Sequence, residues 1–201
     1  MLKELLKNRT VILSSASPRR EQLVKGLDID FAIELNGETE EVYDASMDPS
    51  EVPEYLSNLK SLHFGRVLTE NEILITADTM VLCNGEILGK PADRDDAVRI
   101  LSKLSGNRHT VITGVTLRSV SSQRTFSATT DVWFRKLSQE EIYYYIDNYK
   151  PYDKAGAYGA QDWIGYIAIE KIEGSYFNVM GLPVQKLYRE LEKFAADPLS
   201  N

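Results

Sequence analysis

Apolar positions along the chain alternate between short β-prone runs and stretches of helical spacing, the pattern of an α/β protein. Thr10-Val11-Ile12-Leu13 is the first run, followed by the serine-rich Ser14-Ser15-Ala16-Ser17. Ser17 as N-cap and Pro18 at the first helical position predict a helix with Leu23, Val24 and Leu27 on its apolar face, ending near Gly26. Residues 30–35 alternate as a second strand. Asp48-Pro49-Ser50-Glu51 predicts another helix, capped by Asp48, running to about Leu68 and burying Val52, Tyr55, Leu56, Leu59 and Leu62. Ile73-Leu74-Ile75-Thr76 reads as a buried strand that then delivers Asp78, flanked by Thr76 and Thr79.

Beyond Asp78, Asn84-Gly85 separates two apolar runs, a hairpin signal that leads into Gly89-Lys90-Pro91. From Asp93, residues Ala97, Ile100, Leu101 and Leu104 recur at helical spacing up to Ser105-Gly106. Residues 110–119 and 123–134 are expected to pair as antiparallel strands, with Thr113-Gly114 marking a bulge or a close backbone approach. Ser138 and Glu141 form a capping box for a helix to about Asn148. Residues 164–170 read as a strand, and Val184, Leu187, Tyr188, Leu191 and Phe194 line a final helix. The expectation is one domain of roughly six strands and five or six helices, without internal repeats, low-complexity segments or a clear linker.

Composition narrows the class. Hydrophobic residues make up 43% and charged residues 26% of the 201 positions, as in ordinary soluble globular proteins. No apolar run reaches the roughly 18 residues a membrane helix needs, and the charged stretch from Met1 to Arg9 lacks a signal-peptide core. A net charge of −7 disfavours long nucleic acids and anionic membranes as partners. Cys83 is the sole cysteine, which excludes an internal disulfide and points to a reducing cytoplasm. Its expected role is packing in or beside a strand.

Candidate chemistry gathers at a few positions. In open α/β sheets ligands sit beyond the carboxyl ends of strands, so Asp78 is either a turn or helix cap or a functional acid. Arg19 and Arg20 at a helix start would bind phosphate together with backbone N–H groups, or form a solvated pair. Lys90, just past a hairpin arm, is a candidate ligand, whereas Lys60 lies off its helix's leucine stripe and reads as a surface lysine. Glu38, Glu40 and Glu41 form an acidic stretch from which one acid could face a metal or a base. His109 has no accompanying histidine or cysteine at metal-ligand spacing and reads as structural. Tyr143-Tyr144-Tyr145 point in three directions on a helix and read as packing. Gln161, in the small-residue loop of residues 150–161, offers an amide able to read a base edge.

Seven motifs occur in order: Ser15-Ala16-Ser17-Pro18-Arg19-Arg20, Thr76-Ala77-Asp78-Thr79, Gly89-Lys90-Pro91, Leu104-Ser105-Gly106-x-x-His109, Thr113-Gly114-Val115, Asp153-Lys154-Ala155-Gly156-Ala157-Tyr158-Gly159-x-Gln161 and Gly181-Leu182-Pro183. Together they resemble the Maf family of nucleotide pyrophosphatases over nearly the whole chain, residues 1–201 then being one Maf-like domain. The resemblance implies an elongated mixed β-sheet flanked by helices, with two lobes around a central cleft, similar to the inosine-triphosphate pyrophosphatases. It implies hydrolysis of nucleoside triphosphates between the α- and β-phosphates with a divalent cation, Mg or Mn. Asp78 would be the proton acceptor that activates water. Ser15, Arg19, Arg20, Lys60 and Lys90 would line the phosphate path, and Glu41 would be the acid that assists metal or water. Arg19, Thr79 and Gln161 resemble the branch acting on dTTP and UTP, where a 7-methyl-GTP branch carries tryptophan, glutamine and glutamate. The chain departs from the family pattern in Gln161-Asp162-Trp163, which replaces a usual Gln-Gly, and in the setting Asn58-Leu59-Lys60-Ser61. A 7-methyl-GTP pyrophosphatase and a nucleotide-binding regulator of cell division are the alternative readings. A homodimer is expected by resemblance alone.

Overall fold

The computed structural model describes residues 1–35 and 42–196. Its elements, in order, are α1 (Leu2–Leu5), β1 (Thr10–Leu13), α2 (Pro18–Lys25), β2 (Phe31–Ile33), α3 (Val52–Leu62), β3 (Glu72–Cys83) and β4 (Glu86–Leu88). There follow α4 (Arg94–Leu104), β5 (Arg108–Arg118), β6 (Gln123–Phe134), α5 (Gln139–Tyr149), a 3-10 turn (Ala155–Ala157), α6 (Trp163–Ala168), β7 (Ile169–Glu173), α7 (Tyr176–Val179) and α8 (Val184–Ala196). The strands form a seven-stranded mixed sheet in the order β2-β1-β3-β5-β6-β7, with β4 pairing β3. The chain divides into two compact units. The first comprises Met1–Asp78, Thr113–Ala128 and Gly181–Asn201; the second comprises Thr79–Ile112 and Thr129–Met180.

In the first unit β1 lies between β2 and β3 and is parallel to both, with Leu13 opposite Ile33 on one side and Ile75 on the other. Its Val11, Ile12 and Leu13 are buried because neighbours flank it on both edges. Helix α2 begins at Pro18 with Ser17 at the N-cap position, as its residues predict. Helix α8 buries Leu187, Leu191 and Phe194, while Tyr188 turns its hydroxyl to accept from Leu2 N at 3.3 Å.

Helix α3 departs from expectation in start, end and face. Asp48 does not cap it; its carboxylate accepts from Ser50 N and Ser50 Oγ, closing a local turn before the helix. The helix ends at Leu62 rather than near Leu68. Its buried residues are Val52, Pro53, Leu56, Ser57 and Ser61, whereas Tyr55 and Leu62 are exposed. The cause is steric: a Cβ on Gly114 of β5 would lie 2.2 Å from the Pro53 carbonyl. Backbone approaches backbone there, and only the small-residue side of the helix fits against the strand.

In the second unit the β3–β4 hairpin turns on Asn84 (φ 51°) and Gly85 (φ 78°), the left-handed pair that a two-residue turn requires. Asp93 caps α4 by accepting from Asp96 N at 2.8 Å, and the Ser138–Glu141 capping box opens α5. Cys83 is buried in β3, and burial pushes its thiol up. Tyr145 is fully buried and Tyr144 half exposed, consistent with a packing role for the tyrosine run.

Two strand boundaries are corrected. Residues 163–168 form α6, and β7 starts only at Ile169. A short apolar run has no decisive period, and here Ile164 and Ala168, four apart, are buried as on a helix. A Cβ on Gly165 would sit 1.9 Å from Ala160 O, so this turn too rests against backbone. Strand β3 continues through Asp78 into the hairpin, so the acid lies mid-strand rather than beyond a strand end. A side chain standing off one face of a strand need not interrupt its ladder.

Candidate active site

Thr76 and Asp78, two apart on β3, share one face of the strand. Thr76 Oγ1 donates to Ser57 O of α3 at 2.7 Å. Ser57 Oγ lies 3.0 Å from Thr116 Oγ1, which lies 3.0 Å from Thr125 Oγ1. These contacts, with the Gly114–Pro53 approach, fix the rotation of α3 about its own axis. One turn beyond Ser57, Lys60 is thereby brought over Asp78, and its ammonium pairs with Asp78 Oδ1. The two side chains are only 19% and 12% exposed. Lys60 is therefore not the surface lysine that the leucine spacing suggests. The helix buries Pro53, Ser57 and Ser61, and Lys60 follows that face.

The start of α2 approaches β3 from the other direction in sequence. Ser15 Oγ accepts from Ser17 N at 3.2 Å and from Arg20 Nη1 at 3.4 Å. Arg20 Nη1 also donates to Ala77 O at 2.8 Å, and Arg20 Nε donates to Gly181 O at 2.9 Å. Arg20 and Lys60 thus hold consecutive residues of β3, one through a backbone carbonyl and one through the carboxylate. Arg19 is half-buried in the first turn of α2, where backbone N–H groups and the positive end of the helix favour an anion.

The second unit carries the remaining candidates. Thr79 is half-buried in β3. Lys90 is exposed between Gly89 and buried Pro91, and Gly89 O accepts from Gly156 N at 3.1 Å, tying this segment to the 3-10 turn. His109 is buried, its Nε2 2.8 Å from Tyr158 Oη and its ring edge-on to Phe134. This packing fits the structural role expected of it, and burial lowers its pKa to about 4, against a smaller opposing influence of Asp131. Gln161 Oε1 is buried and has no hydrogen-bond partner among the described residues. Glu38, Glu40 and Glu41 lie outside the described residues. Among the described residues no group of three or more His, Cys, Asp or Glu is placed to hold a metal.

Sequence reasoning missed Ser57 and Thr116, and the contact of Thr76 with Ser57 that helps orient α3, and gave no partner for Asp162. A stripe of small residues at Pro53, Ser57 and Ser61 was the available signal for the first group.

The family model described as Maf-like protein matches residues 10–194. Relatives include the dTTP/UTP pyrophosphatase of Bacteroides thetaiotaomicron, 49% identical over 183 residues covering 91% of this chain and 95% of the relative. That of Phocaeicola vulgatus is 50% identical over 190 residues, covering 94% and 98%. Among solved structures, a nucleoside-triphosphatase/dITP/XTP pyrophosphatase from Mycobacterium abscessus matches 94% of this chain and 100% of its own, at 12% identity and a TM-score of 0.43. No helix among the described residues is long and apolar enough to cross a membrane.

Proposed function

The chain belongs to the Maf family, and on that premise we propose that it hydrolyses nucleoside triphosphates, dTTP and UTP preferred, to the monophosphate and pyrophosphate. The observation that carries this reading is the pairing of Lys60 on α3 with Asp78 on β3, a largely buried carboxylate fixed beside an Arg-bearing helix start. Phosphoanhydride hydrolysis needs a base to orient and deprotonate water and cations to spread the developing charge. Asp78 is the proposed base. Ser15, Arg19, Arg20, Lys60 and Lys90 are the proposed phosphate contacts. A triphosphate would compete with Asp78 for the Lys60 ammonium, turning the carboxylate toward water as substrate binds.

Gln161 is proposed to meet the base. Its buried Oε1 has no donor among the described residues, and uracil and thymine present N3–H beside an acceptor at O4. Arg19 and Thr79 complete the proposed specificity set. A divalent cation, Mg or Mn, is proposed to bind through one carboxylate together with the substrate's phosphates. Glu41 would be that carboxylate. When bound, such a cation neutralises charge on the phosphate oxygens. We read residues 1–201 as one catalytic domain that works on free nucleotides in the cytoplasm, as a homodimer.

Pyrophosphate release from a panel of nucleotides with Mg²⁺ or Mn²⁺ tests the proposal. Preference for dTTP and UTP is expected. Preference for 7-methyl-GTP would overturn the substrate, and silence across the panel would overturn the enzyme in favour of a regulatory binder.

A further inference from the structure

Gln161 lies inside one hydrogen-bonded knot. The hydroxyl of fully buried Tyr145 accepts from Gly159 N at 3.1 Å and donates to Asp162 Oδ2 at 2.7 Å. One phenol therefore grips both ends of the segment Gly159-Ala160-Gln161-Asp162, whose backbone is also closed by Asp162 N on Gly159 O at 3.0 Å. A Cβ on Gly159 would lie 2.5 Å from Asp162 Oδ2, so the carboxylate rests against the backbone of residue 159. On the far side Asp162 O accepts from Gly165 N at 2.9 Å, and α6 packs its Gly165 against Ala160 O. Lys154 Nζ stands 3.9 Å from Asp162 Oδ2.

The ordinary explanation for an aspartate here is helix capping. Asp162 does occupy the N-cap position of α6, yet its side chain makes no capping hydrogen bond. The carboxylate faces Tyr145 instead. Burial pushes the Tyr145 phenol up, so it remains a hydrogen-bond donor throughout the working pH range.

We propose that Asp162 and Tyr145 are positioning residues that hold the Gln161 amide in the orientation that selects the pyrimidine base. The inference rests on the reading of Gln161 as the base contact, and it gives a function to the acid that replaces the family's usual glycine. A residue whose backbone is fixed on both sides has less freedom to lose on binding, so loosening either anchor weakens discrimination before it weakens chemistry.

The test compares kcat/KM for dTTP and GTP in the wild type, Asp162→Ala, Asp162→Asn and Tyr145→Phe. Asp162→Ala and Tyr145→Phe should each lower the dTTP/GTP ratio by about tenfold, mainly through KM for dTTP. Asp162→Asn retains an acceptor for the phenol and should restore most of the ratio. A dTTP/GTP ratio within twofold of wild type in folded Asp162→Ala overturns the inference. If that variant does not fold, the same result in Tyr145→Phe overturns it. Equilibrium binding of dTTP and GTP to Asp78→Asn, with and without Asp162→Ala, reads the same ratio without turnover. A wild type inactive on every nucleotide defeats the pyrophosphatase reading while leaving this binding comparison decisive for the brace. Equal dTTP and GTP binding by Asp78→Asn overturns Gln161 as the base contact, and a dTTP/GTP binding ratio that Asp162→Ala leaves unchanged overturns the brace itself.

Discussion

His109 makes acid stability a direct readout of how the second unit is built. Its ring is 1% exposed, Nε2 meets Tyr158 Oη at 2.8 Å, and Nδ1 has no partner among the described residues. Protonation would bury a charge and leave a second N–H without an acceptor. The unfolded chain takes up that proton near pH 6.5, and the folded chain only near pH 4. The contribution to stability is therefore complete above pH 6.5, falls as pH drops, and levels off below about pH 4. For one site with those two values, going from pH 7.5 to pH 4.5 removes about 2–3 kcal/mol. His109→Gln has no such titration and should lose about 2–3 kcal/mol less than wild type over the same interval. Urea unfolding followed by tryptophan fluorescence is the suitable assay, because both tryptophans, Trp133 and Trp163, belong to the second unit. With a slope of about 2 kcal/mol per molar urea, the difference is a midpoint shift of about 1 M. Equal acid sensitivity in the two proteins would refute the argument.

Two further perturbations probe the first unit. Gly114→Ala places a methyl 2.2 Å from the Pro53 carbonyl and should cost about 3 kcal/mol in urea unfolding followed by circular dichroism, with loss of turnover as α3 and its Lys60 shift; an unchanged midpoint would refute the close approach. Lys60→Met should reduce pyrophosphate release about a hundredfold while Lys60→Arg loses less, and a Met variant within threefold of wild type would remove Lys60 from the mechanism.

Local chemistry made much of the fold legible. Pro18, Asp93, Ser138 and Asn84-Gly85 specify helix starts and a turn through their own backbone preferences, and of the two readings of Gly114, bulge or close approach, the second holds. The errors arose where tertiary packing overrode local pattern. Counting leucines on α3 pointed to Leu59 and Leu62, but the approach of Gly114 to Pro53 selects the serine face, and with it the direction of Lys60. Residues 163–168 carry a run too short for its period to decide between strand and helix. In the site, Asp78 stood out by residue type, whereas its pairing with Lys60 across 18 positions and the Tyr145–Asp162 bond across 17 depend on the assembled fold.

The most direct test of the central claim replaces Asp78 with asparagine. The amide is nearly isosteric and can still accept from Lys60, but it cannot take a proton from water. Equilibrium binding of dTTP should stay within a few-fold of wild type while steady-state pyrophosphate release falls about a thousandfold. An Asp78→Asn enzyme that releases pyrophosphate at close to the wild-type rate would contradict the account.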